Sequence, residues 1–62
     1  MFIKVDRSGG TSPFISVDKI IMVESLRQGV TTVYLEDNIK IQIDEAAESF
    51  VARVQALRKI DK

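Results

Sequence analysis

Four consecutive apolar residues, Ile20-Ile21-Met22-Val23, sit inside a chain of only 62 residues. Side chains alternate across a strand, so a run that is apolar at every position asks for cover on both faces. A domain of this size buries only about 60% of the surface its unfolded chain exposes. One helix can shelter one face of a small sheet; the other face needs a second cover, and another copy of the chain is the simplest. The usual staples of small domains are missing. There is no cysteine for a disulfide, and with neither cysteine nor histidine a structural zinc site lacks its ligands. The run therefore points to a homo-oligomer, most simply a dimer.

The flanking segments supply strands and one helix. Phe2 to Asp6 reads as a strand with Ile3 and Val5 on one face and Phe2, Lys4 and Asp6 on the other. Arg7 to Pro13 is a dense turn signal. Phe14 to Val17 reads as a short second strand, and Asp18-Lys19 as a brief turn. Glu24 to Gly29 reads as a connection, with Gly29 as its positive-φ residue. Val30 to Leu35 and Ile39 to Ile43 form a hairpin, the second arm alternating strictly. A two-residue turn at Asp37-Asn38 would put Val33 on the face of Gln42 and split the apolar sets. A three-residue loop, Glu36-Asp37-Asn38, pairs Leu35 with Ile39, Val33 with Ile41 and Thr31 with Ile43, leaving Tyr34, Lys40, Thr32 and Gln42 on the opposite face. A one-residue slip flips every side chain, so the pattern selects the three-residue loop, with Asn38 left-handed.

Asp44 reads as a helix N-cap. The helix is expected over about residues 45–59, with Glu45 and Glu48 at its start and Arg58, Lys59 and Lys62 at its end, as the helix dipole favours. Ala47, Phe50, Val54 and Leu57 form the apolar stripe, widened by Val51 and expected to lie on the Ile39-Ile41-Ile43 face. The expected fold is α+β, a single domain over residues 1–62: a small antiparallel sheet of four to five short strands with one C-terminal helix packed on one face.

Function is less legible. Nine basic and nine acidic side chains cancel, which argues against the basic excess of a nucleic-acid binder. No run approaches the ~20 apolar residues of a membrane span, and the opening residues lack a signal-peptide core. A cytoplasmic, bacterial-type protein without a membrane partner is expected. Without histidine or cysteine the familiar triads and dyads cannot form. The serines at 8, 12, 16, 25 and 49 have no evident base, Ser16 and Lys19 being linked by proximity alone. Asp44, Glu45 and Glu48 serve a helix start rather than acid–base chemistry. Ser8-Gly9-Gly10-Thr11-Ser12 lacks the lysine and following helix of a phosphate loop. No catalytic residue, no metal and no cofactor is expected. Phe2, Phe14, Ile20, Met22 and Tyr34 are the candidate oligomer contacts. The alternative is a nucleic-acid-binding regulator using a basic helix end, with Lys4, Lys40, Arg53, Arg58 and Lys59 as contacts.

Three segments carry a resemblance: Ile15-Ser16-Val17-Asp18-Lys19-Ile20, Leu35-Glu36-Asp37-Asn38-Ile39-Lys40-Ile41, and Asp44 to Lys59. Together they resemble the small FlbD/SwrD-type flagellar and swarming-motility proteins over most of the chain. That resemblance brings no catalytic residues, and the doubly apolar Ile20–Val23 run makes a non-catalytic interaction or regulatory module acting as a homo-oligomer the leading expectation. The layout is also similar to the carbon storage regulator (CsrA) family, RNA-binding dimers of five strands and a helix, through Met1-Phe2-Ile3 and Arg7. Asp44-Glu45 stand where that family has a basic residue, so this second resemblance implies only dimerisation through strands.

Overall fold

The hairpin at the centre of the chain sets the register for everything around it. In a computed structural model describing residues 1–60, Leu35 pairs with Ile39, Val33 with Ile41 and Thr31 with Ile43. This is the three-residue loop that hydrophobic patterning selects. Asn38 is left-handed at φ 61°, and Asp37 joins it at φ 68°. Asn and Asp tolerate that region better than other non-glycine residues.

Around this hairpin the elements run β1 (Phe2–Lys4), β2 (Phe14–Ser16), a 3-10 turn (Val17–Lys19), β3 (Ile20–Arg27), β4 (Val30–Leu35), β5 (Ile39–Ile43) and α1 (Ala47–Ile60). The fold is α+β, as expected. β1 and β2 form a two-stranded antiparallel sheet, and β3-β4-β5 a three-stranded meander. The chain beyond β1 joins the two. Arg7 bridges Ile43, the Ser8 N–H donates to the Gln42 carbonyl at 2.9 Å, and the Asp44 N–H donates to the Asp6 carbonyl at 2.8 Å.

The core fills the space between these sheets and the helix. Ile3 and Val5, Ile15 and Val17, Val33 and Ile43 all turn inward and are buried, with Phe50 of α1 as the largest fully buried side chain. Val54 and Leu57 pack against this cluster. The helix therefore lies on the inward sheet face, nearest β3. Ile43 is fully buried there and Ile41 partly, while Ile39 at the far end of β5 stays 51% exposed.

Two local expectations are corrected. Glu24 to Arg27 are strand, not connection, and only Gln28-Gly29 turn, with Gly29 at φ 78°. The helix starts at Ala47, and Asp44 is not its cap. The Phe50 N–H bonds the carbonyl of Ala46 at 3.0 Å, which puts Ala46 at the capping position. Asp44 instead accepts from Ser8 Oγ at 2.8 Å, and the buried Thr31 hydroxyl donates to the Glu45 carbonyl at 2.6 Å. Residues 44–46 thus form an elbow held to the sheet, which takes up the chain reversal between β5 and the helix. Lys62, expected at the helix end, lies outside the described residues.

Candidate interaction surface

β3 is where sequence pattern and structure part company. Its pairing with β4 is regular from Met22 to Ser25 but shifts between Ile20 and Met22, and again between Ser25 and Arg27. The first shift inserts Ile21 as an extra residue. A β-bulge of this kind re-aims the side chains around it. Ile20 and Val23 consequently both pack toward the core, whereas Ile21 and Met22 turn to solvent at 66% and 47% exposure. The four-residue apolar run is covered on one face and bare on the other. Leu26 on the same strand is also exposed.

β3 is, further, an edge. It pairs with β4 only, and no other described strand takes its far side. Beyond Ile21 and Met22 the apolar surface continues over Tyr34, Leu35 and Ile39 around a shallow depression of about 490 Å3. Of the candidate contacts, Met22 and Tyr34 therefore come together here, joined by the bulged Ile21, which was not among them. Ile20 faces inward. Phe2 and Phe14 are exposed on the outer face of the β1–β2 sheet, flanking Lys4.

The sheet face opposite the helix is polar apart from Met22 and Leu26, which are exposed on it. Arg7, Glu24, Thr32, Tyr34, Lys40 and Gln42 line an open groove of about 410 Å3. Tyr34 donates its hydroxyl to Glu24 Oε1 at 3.0 Å. That bond, with the nearby carboxylate charge, raises the Tyr34 pKa above the usual phenol value.

Of the basic candidates, Lys4 and Arg53 come together, in a depression they share with Asp6, Asp44 and Glu45, and Lys40 lies apart from them. Lys40 stands beside Tyr34 on the polar face. Arg53 is committed elsewhere. Its Nε donates to Glu45 Oε2 at 3.0 Å, and its Nη2 donates to Glu45 Oε1 at 2.6 Å and to the Lys4 carbonyl at 3.0 Å. Ser49 Oγ completes the carboxylate's partners at 2.8 Å, and the guanidinium lies 5.9 Å from the Phe50 ring centroid. Donation from Arg53 holds the Glu45 carboxyl below its usual range, and the same pair pushes the Arg53 pKa up. This clasp ties helix, elbow and β1 together, a structural task. Arg58 and Lys59 remain exposed in the last turn of the helix. Among the described residues no three metal-ligating side chains cluster, and no helix is long and apolar enough to cross a membrane.

Set against known proteins, the chain matches no family model, no curated protein and no solved structure.

Proposed function

We propose that this chain is a non-catalytic interaction module of the cytoplasm that works as a homo-oligomer, most simply a dimer. The observation that carries the reading is β3: an eight-residue strand with one bare edge and with Ile21 and Met22 exposed beside it. Bare edges template pairing with another chain unless they are blunted or covered, and between its two bulges β3 keeps a straight stretch, Met22–Ser25, that is neither. Contiguous exposed apolar surface marks an interaction site more often than it marks nothing. The sequence, with no histidine or cysteine, supports a role without catalysis, as does the resemblance to small motility proteins. Lys4 and Arg53 share a depression with the carboxylates of Asp6, Asp44 and Glu45, Arg53 is engaged by Glu45, and Lys40 lies on another surface, which favours a protein partner over nucleic acid.

Light scattering coupled to gel filtration at micromolar concentration tests this. A mass of twice the 7.0 kDa chain, or a higher multiple, is expected. A clean 7.0 kDa species at all accessible concentrations refutes it.

A further inference from the structure

We infer that two copies meet along β3, antiparallel, about a two-fold axis normal to the sheet that passes between Val23 and its counterpart, so that the two helices also pack across that axis. This rests on the self-association proposed above and assigns it a seam and a register.

The core is unfinished at this margin. Inside the edge of β3 a recess of about 420 Å3 opens between strand and helix, with Val23 and Ser25 on its strand side and, on its helix side, Ala47, Val51 and Ala52 flanked by Glu48 and Gln55. Val51 is 37% exposed although it belongs to the helix's apolar stripe. A second β3 laid antiparallel along the edge brings its own Val23 to the recess and its own helix to the same side of the sheet. The small Ala47 and Ala52 allow the helices a close approach. The straight part of the edge, Met22–Ser25, is ~14 Å long at about 3.4 Å per residue, and the helices supply the rest of the contact. A standard interface needs roughly 800 Å2 per partner, under a fifth of the 4416 Å2 surface, so one flank of the molecule suffices.

The register follows from the pleat, the bulges and one charge. In an antiparallel ladder, directly opposed residues share a face, so a two-fold sheet sets one residue against itself. The bulges confine regular backbone to Met22–Ser25. Setting Met22 or Ser25 on the axis leaves that one rung regular. Setting Glu24 there opposes two carboxylates, which is destabilising. Val23 on the axis keeps its neighbours regular, with Met22 against Glu24 on either side, and it places the apolar pair on the recess side. Only this register meets every condition.

Because the chain has no cysteine, single thiols report the seam directly. Val23→Cys, Met22→Cys, Glu24→Cys and Ser25→Cys are oxidised mildly and run without reductant. Directly opposed Cβ atoms lie about 4.5–5.5 Å apart, near disulfide reach, whereas off-axis thiols do not meet their own copies. Val23→Cys is expected to form covalent dimer at least ten-fold faster than the other three. Preferential cross-linking by Glu24→Cys, Met22→Cys or Ser25→Cys overturns the register. A wild-type dimer with no cross-linking at any of the four overturns the seam while leaving self-association intact; a wild-type monomer overturns both. Val51→Glu, at an exposed helix position, keeps the test independent of the core. It places like charges across the axis and is expected to weaken dimerisation at least ten-fold with the circular dichroism spectrum unchanged. An unaltered dimer affinity refutes helix packing at the seam.

Discussion

Replacing Arg53 by Met removes the clasp's charge and donors while keeping a flexible apolar stem to lie over Phe50. The magnitude can be built from the geometry. Exposed ion pairs contribute about 0.2–1 kcal/mol. This one is bidentate, with Glu45 only 18% exposed but Arg53 43% exposed, so solvent screening keeps the pair near the top of that range, about 1 kcal/mol. The lost bond to the Lys4 carbonyl adds about 0.5–1.5 kcal/mol. Arg53→Met should therefore cost about 1.5–2.5 kcal/mol, and a domain of this size loses about 4–8 °C in Tm per kcal/mol. Urea titration of wild type, Arg53→Met, Glu45→Gln and the double variant, at one protein concentration, isolates the pair as a coupling of about 1 kcal/mol. The pH dependence has a definite sign. The folded Glu45 carboxyl is held below its usual range, first by donation from Arg53 and then by Ser49 and the guanidinium charge, against the opposing effect of burial. Its contribution is thus complete above the unfolded carboxyl's pKa of about 4.3 and vanishes as pH falls through the lower folded value. Coupling that is absent at pH 7, or that grows on acidification, would refute the clasp.

Thr31→Val removes the hydroxyl that holds the Glu45 carbonyl; a loss of about 1–3 kcal/mol, read as a lower urea midpoint, is expected. Asn38→Gly relieves a left-handed residue at φ 61° and should leave the midpoint unchanged or raise it by up to about 1 kcal/mol, whereas a clear loss would show that the Asn side chain is needed. Phe50→Ala empties the largest fully buried site at a cost of about 3–5 kcal/mol. A chain with roughly 0.05–0.15 kcal/mol of stability per residue should then be substantially unfolded at 25 °C by amide exchange or near-ultraviolet dichroism.

Strict alternation carries its own register, which is why the β4–β5 pairing could be read residue by residue. The same holds for Ile3 and Val5 and for the helix stripe through Phe50, Val54 and Leu57. Ile20 to Val23 was harder. A period-two reading assigns Ile20 and Met22 to one face, but a bulge adds a residue without any local marker, and the two end on opposite sides. Glu24-Ser25-Leu26 looked like a connection because an edge strand with one wet face tolerates polar residues. Asp44 has the chemistry of a cap, yet Ser8, 36 positions earlier, holds its carboxylate. Arg53 read as a surface cation. Its true role had a faint signal, since Glu45, Ser49 and Arg53 recur every fourth residue and fall along one side of the helix and its lead-in. The recess beside Val51 depends on where the helix lies across the sheet, which no single segment encodes.

The two outer margins of the strands are unequal, and that inequality limits how far copies can accumulate. β2 offers three residues, preceded by Pro13, which has no N–H to give. β3 offers eight, but its bulged ends leave a short straight stretch between them. Indefinite ribbons need two good docking borders per molecule, one to receive and one to extend. With β3 the one long border among the described residues, addition halts after one event, and concentrated solutions should stay clear instead of maturing into fibrils.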